Sequence, residues 1–252
     1  MTSRPAERRL VGDLMVDRLH AWGVGRLFGY SGDGINGFMG ALRRAGGDPP
    51  TRAGTTRGER RADGRRPRQV HRRGWRGHQH PGPGAVHLLN GLYDAKLDHI
   101  PVVALVGQQH TTVLGAEYQQ EIDLQSLFKD VAAQFVQSVL APEQAGMVLD
   151  RAFRTALATR SPCVVIVPHD VQQMEVPPEL PHEHGVVVTA AEWRHPRIIP
   201  REGDLTAAAR VLNAGSRVAL LVGQGARGAG DQVRAVAERL GAGVTTSLLG
   251  KP

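Results

Sequence analysis

Chemistry in this chain of 252 residues would have to come from three glycine-rich turns and one basic segment. The first turn, Tyr30-Ser31-Gly32-Asp33-Gly34, lies between an apolar run and a helical pattern. A strand that ends in glycines and opens into a helix presents unpaired backbone N–H groups, a natural seat for a polar or anionic cofactor. The same residues also suit a plain tight connection, and taken alone their spacing favours that reading. The second turn, Pro81-Gly82-Pro83-Gly84, has the same position ahead of a helix. The third, Gly223-Gln224-Gly225-Ala226-Arg227-Gly228, fits G-x-G-x-x-G, a dinucleotide fingerprint. Thr245-Thr246-Ser247 stands about twenty residues on, where that fingerprint wants an acid, so nicotinamide is disfavoured. His71, His78 and His80 have no cysteine partners, and no metal site is predicted from them. His20, His87, His99, His110 and His169 read as surface or core residues by position alone.

The net charge of +7 is confined to one place. Ten arginines between Thr51 and His80 face only Glu59 and Asp63, a local balance of +8, which leaves −1 for the rest of the chain. Such a run binds phosphates non-specifically, and no specific nucleic acid is predicted as a partner. The same window holds no Leu, Ile, Phe or Met, and Val70 and Trp75 are its only bulky apolar residues. A stretch this poor in apolar surface does not offset the entropy of ordering itself, so residues 51–80 are expected to be disordered. The single cysteine, Cys163, excludes a disulfide framework. The N-terminal residues carry no signal-peptide run, and no later stretch has the length of a membrane span, so a cytoplasmic location is expected.

The elements that would position the turns are legible in the periodicity. Residues 8–21 place Leu10, Leu14 and Leu19 in helical register. Residues 25–30 read as a strand, and 35–44 as a helix stopped by Gly46-Gly47. Ala85, Leu88, Leu89, Leu92 and Ala95 form a helical stripe after the second turn. Residues 100–107 and 163–167 are continuous apolar runs, as in strands covered on both faces. A further helix starts at Pro142-Glu143 and buries Val148, Leu149, Ala152, Phe153, Ala156 and Leu157. The predicted fold is α/β, a doubly wound parallel sheet followed by a truncated second Rossmann-like α/β domain.

From Pro168 to Pro200 there are six prolines and no period, which reads as a linker. The expected division is a first domain over 1–183, a linker over 184–203 and the start of a second domain over 204–252. That second unit alternates a helix at 204–213, a strand at 217–222, a helix at 231–240 and a final strand-like run at 243–249. So few strands do not bury both faces of a parallel sheet, and truncation at Pro252 is expected.

The anomalous window has an explanation in the genetic code. Arg57-Gly58-Glu59-Arg60 can be written CGA GGA GAA CGC, and reading one base later gives GAG GAG AAC. Continued from Gly54 to Pro81 with suitable synonymous codons, the shifted frame reads VRHEENAALMAVGHAKFTGEVGVATSTP. It restores an apolar helix, a glycine turn and a valine-rich strand, and a local frameshift is the expectation for this segment.

The motifs at residues 28–37, 81–98 and 101–108, continued by Gly115-Ala116-Glu117-Tyr118-Gln119-Gln120-Glu121 and Ser126-Leu127-Phe128-Lys129-Asp130, resemble the pyrimidine-binding domain of thiamine-diphosphate-dependent enzymes of the pyruvate oxidase and acetolactate synthase type. The resemblance covers nearly the whole chain outside 51–80. It implies thiamine diphosphate as cofactor and a small 2-oxo acid such as pyruvate as substrate, with oxidoreductase or transferase chemistry. Tyr30, Ser31, Gly32, Pro83, His87 and Gln108 match positions lining the pyrimidine pocket, although the family usually has proline where Ser31 stands, and Gln120 matches one facing substrate. The family's activating glutamate lies in an R-H-E-E-like motif that exists only in the shifted frame, on the codons of Arg57 and Gly58. No catalytic residue is therefore assigned, and the chain as written is expected to be inactive. Mg2+ would belong to a C-terminal domain outside this chain, FAD is compatible with the middle domain, and a homodimer or homotetramer is implied. The competing reading is a non-catalytic module, either a basic nucleic-acid binder or a dinucleotide-binding domain.

Overall fold

The computed structural model of the chain describes residues 8–29, 31–52, 75–79, 82–177 and 188–251. Its contacts divide the chain into two compact units, Met1–His195 and Pro196–Pro252.

The first unit is built on a six-stranded parallel sheet in which strands of unequal character are joined by helices. In chain order the strands are β1 (Leu27–Gly29), β2 (Thr51–Arg52), β3 (Trp75–Gln79), β4 (Val102–Gln108), β5 (Val136–Ser138) and β6 (Pro162–Pro168), and their order in space is β2-β1-β3-β4-β6-β5. All five pairings are parallel. The helices are α1 (Val11–Ala21), α2 (Asn36–Arg44), α3 (Pro83–Leu97), the short α4 (Leu124–Phe128) and α5 (Ala145–Thr159).

β4 and β6 are buried along their whole length, and the period of two in a strand sends alternate residues to opposite faces. Val103 and Leu105, with Cys163, Val165 and Val167, join the core formed with α1, α2 and α5. Val102, Ala104 and Val106, with Val164 and Ile166, join the core formed with α3 and α4. Two covered faces explain why these strands read as unbroken apolar runs instead of alternating. The doubly wound arrangement predicted from sequence is present.

Two expectations are corrected. Residues 51–80 were expected to be disordered throughout, yet Thr51–Arg52 and Trp75–Gln79 are strands, and β3 pairs with β1 on one side and β4 on the other. Residues 53–74 and His80 lie outside the described residues, and with them His71. The proline-rich stretch, read as linker from Pro168, stays with the first unit up to Pro177: Val171 and Gln172 are fully buried, the Val11 amide donates to the Met174 carbonyl, and the Val176 amide donates to the Arg9 carbonyl. Backbone pairing with the segment ahead of α1, including the bridge between Leu10 and Glu175, does here what periodicity does elsewhere.

Farther along, Thr189 and Arg154 tie residues 188–190 to α5. The Thr189 hydroxyl donates to Asp150, and Arg154 donates to the Ala190 carbonyl at 2.8 Å. Asp150 is fully buried and also accepts from the Trp22 indole N–H at 2.8 Å, with the Arg18 guanidinium 3.6 Å away. A buried carboxylate is tolerable only with such partners.

The second unit contains α6 (Glu202–Ala214), β7 (Ala219–Val222), α7 (Gly230–Leu240) and β8 (Gly243–Thr246), with β7 and β8 paired in parallel. The turn Gln224–Ala226 follows β7, so the G-x-G-x-x-G run has the strand–turn–helix setting its fingerprint requires. Among the described residues, no helix is long and apolar enough to cross a membrane.

Candidate cofactor-binding site

The chain leaves β1 in one direction to form β2 and leaves β3 in the other to form β4. In open parallel sheets such a reversal opens a crevice beyond the carboxyl ends of the two strands, where ligands bind. By this rule the switch point lies here between β1, which ends at Gly29, and β3, which ends at Gln79. Ser31 and Gly32 follow β1 on one side, and Gly82 and Pro83 open α3 on the other. Thus the two glycine turns first seen as separate motifs share one end of the sheet.

Two close approaches fix the walls. A Cβ on Gly107, next to the end of β4, would lie 2.2 Å from the Gly34 carbonyl oxygen, so only glycine lets β4 pass this near the first turn. Gly82 has φ of +64°, and a Cβ there would lie 2.6 Å from the Gln120 carbonyl oxygen. Gln120, itself at φ +65°, is therefore pressed against the N-terminus of α3. The adjoining Gln109 side chain donates to the Gln119 carbonyl at 2.7 Å, joining the 115–121 loop to the end of β4.

The sequence-predicted residues fall in place unevenly. Ser31 is exposed and Gly32 partly so, both on the β1 side of the crevice. Pro83 occupies the first turn of α3, where its missing N–H costs nothing, and His87 lies one turn further along on an exposed position. Gln120 is exposed and borders α3 through Gly82. Gln108 is buried, its amide N–H donating to the Ile122 carbonyl at 3.2 Å and its oxygen accepting from the Gln109 amide at 2.8 Å. That side chain therefore holds the loop that carries Gln120. Tyr30 lies outside the described residues.

Three acidic groups at this end of the sheet, Glu121, Asp123 and Asp170, are already engaged. Glu121 accepts from the amides of Gly115 and Tyr118, closing its own loop. Asp123 caps α4, and hydrogen bonds from the Ser126 hydroxyl and amide hold its carboxyl below the usual carboxylate range. Burial pushes the Asp170 carboxyl up, but hydrogen bonds from the Thr111 hydroxyl and amide outweigh it and leave the group below the usual range. None of these has the free, desolvated carboxylate needed to tune a cofactor nitrogen. This end of the sheet offers the Ser31 hydroxyl and the N-terminus of α3 to a polar ligand.

Sequence reasoning missed Gln172 and Gly107. Gln172 sat in a stretch with no period, and Gly107 looked like the plain end of a strand; only the spatial closeness of β4, β6 and the first turn reveals them. Within the described residues, no group of three or more potential metal ligands is gathered.

Residues 78–127 match the family described as thiamine pyrophosphate enzyme, N-terminal TPP binding domain. The match covers the end of β3, α3, β4 and the loop bearing Gln120. The chain is 32% identical over 243 residues to an uncharacterised 42.6 kDa protein of Pseudomonas amyloderamosa, covering 96% of this chain and 59% of the relative. It is 33% identical over 236 residues to pyruvate oxidase of Lactiplantibacillus plantarum, covering 92% of this chain and 38% of that enzyme. It is 30% identical over 254 residues to chloroplastic acetolactate synthase 1 of Oryza sativa subsp. japonica, covering 98% of this chain and 38% of that enzyme. The chain thus spans between 38% and 59% of the length of these relatives. The parallel α/β fold and these matches support a thiamine-diphosphate-dependent enzyme family for the chain.

Proposed function

We propose that this chain supplies the pyrimidine-side half of a thiamine-diphosphate site in a decarboxylating enzyme of the pyruvate oxidase or acetolactate synthase type, acting on a 2-oxo acid. The observation that carries the reading is the switch point between β1 and β3, with Ser31-Gly32 following the one strand and Gly82-Pro83 opening α3 after the other. Thiamine diphosphate, if bound there, would supply carbon-nucleophile chemistry toward the keto group of the substrate. The chain's own part is positional. Backbone groups of the first turn and of the α3 N-terminus hold the ring edge, and Gln120 stands beside the entrance. Completion of the site by a second subunit, Mg2+ at the diphosphate, and FAD contact through Gly223-Gln224-Gly225 belong to the same proposal.

The proposal includes a deficit. The family's ring-nitrogen glutamate is absent from the sequence as written, where Thr55-Thr56-Arg57-Gly58 stands in place of the shifted R-H-E-E. General acid–base assistance of this kind contributes on the order of 10²–10⁴ in rate. The printed chain is therefore expected to bind thiamine diphosphate weakly and to turn over no pyruvate.

The test compares the printed chain with one in which residues 54–81 are replaced by the shifted-frame text. Thiamine diphosphate is titrated into each and followed by NMR. Tighter binding by the frame-restored chain supports both the site and the frameshift. Pyruvate turnover by the printed chain would overturn the deficit, and no binding by either chain would overturn the site. Sequencing the gene through codons 50–81 and finding no displaced base would remove the frameshift alone.

A further inference from the structure

The first turn is clamped by a residue remote from it in sequence. Gln172, in the short turn after β6, is fully buried, one of three buried polar side chains in the described residues. Its amide nitrogen donates to the Gly34 carbonyl at 2.7 Å and to the Val167 carbonyl at 2.9 Å, while its oxygen accepts from the Phe38 amide at 3.1 Å. All the hydrogen-bonding capacity facing the turn is thus used across 134 to 138 residues of sequence.

The geometry is that of a helix cap supplied from elsewhere. α2 has no side-chain cap of its own; its N-cap position is Ile35, which has no acceptor to offer. Phe38 is the third residue of the helix, the N–H that a local cap ordinarily satisfies. Because Gln172 takes over this duty, Ser31 to Gly34 need not fold back to cap α2 and stay along the crevice. The Gly34 carbonyl is held from two sides, by the Gln172 amide and by the close approach of Gly107.

We propose that Gln172 is a positioning residue for the cofactor, fixing the Ser31-Gly32 wall by capping α2 and pinning Gly34. The inference rests on the functional reading above. Its test uses the full chain, thiamine diphosphate as the NMR titrant, and hydrogen exchange of the Ile35–Phe38 amides. Gln172→Met keeps the size but removes the hydrogen bonds to the Phe38 amide and to the Gly34 and Val167 carbonyls. It is expected to speed exchange at Ile35–Phe38 and weaken binding by about tenfold each, since one buried hydrogen bond is worth about that factor. Gln172→Glu is the conservative rescue. Among carbonyl oxygens its carboxyl stays protonated, accepts from Phe38 and donates to Gly34, so binding recovers to within about threefold.

Asp150→Asn, on α5 and outside the crevice, is the stability control; its melting temperature should fall while affinity stays within about twofold. Unchanged affinity in Gln172→Met, failure of Gln172→Glu to rescue, or an equal loss in Asp150→Asn overturns the positioning role while leaving the site intact. Failure of the parent chain to bind thiamine diphosphate overturns the functional reading, and the positioning role falls with it.

Discussion

Gly107→Ala probes the contact on which the crevice geometry depends. The added methyl carbon would meet the Gly34 carbonyl oxygen at 2.2 Å and its carbon at 2.5 Å, both backbone atoms with no side-chain freedom to move aside. Ordinary contact begins near 3.4 Å, so either β4 or the turn must retreat by about 1 Å. β4 is held by seven parallel partners in β6 and five in β3, which leaves the turn to move. Retreat of Gly34 also stretches its 2.7 Å hydrogen bond from Gln172. Overpacking of this kind costs about 1–3 kcal/mol and a lost hydrogen bond about 1 more, giving a loss of roughly 2–4 kcal/mol. In a unit of this size that lowers the melting temperature by about 5–12 °C. The assay is urea denaturation followed by circular dichroism, with Gly25→Ala as control because a Cβ at Gly25 meets nothing within 4 Å. A Gly107→Ala chain within 0.5 kcal/mol of the parent, or one no worse than Gly25→Ala, would refute the reasoning.

Other perturbations test separate parts of the molecule. Asp150→Ala leaves the Trp22 indole N–H and the Arg18 guanidinium facing an empty buried position, and should cost about 3–5 kcal/mol in urea denaturation. Burial pushes the Cys163 thiol up to about 12, so a thiol reagent at pH 8 should label the folded chain negligibly and the urea-unfolded chain fully. The Asp130 carboxyl is held below the usual carboxylate range by the hydrogen bond from Lys96 and then by that from Tyr93. A depressed carboxylate contributes stability that is present above its unfolded value and lost as pH falls through the folded one. Lys96→Met should therefore raise the Asp130 titration seen by NMR and flatten stability between neutral pH and that window.

What the sequence made legible follows from which physics each part depends on. α1, α2, α3, α5, β4 and β6 bury one face or both, so their apolar spacing carries the answer in a short window. Gln172 and Gly107 were silent because their roles exist only between elements: an amide capping a helix 134 residues away leaves no local pattern. The crevice residues stood between these cases. Ser31-Gly32 and Gly82-Pro83 showed as turns, but only the strand order β2-β1-β3-β4 makes them two sides of one opening.

β3 is the instructive failure. Its residues, Trp75-Arg76-Gly77-His78-Gln79, resemble neither a buried parallel strand nor an alternating one, and judged by side chains alone disorder was the sound expectation. That judgement left out the neighbours. β1 and β4 each present a row of backbone donors and acceptors, and without a strand between them both rows would be unpaired inside a sheet covered on its two faces. Each such buried group costs about 1–3 kcal/mol when orphaned. β3 meets most of that demand, pairing Trp75 through Gln79 with Val102 through Val106, and Gly77 and His78 with Phe28 and Gly29. The pull that orders this segment therefore comes from the sheet's backbone and is indifferent to the residues that answer it. Where two framed strands wait on either side, a central position is assigned by topology first and by composition second.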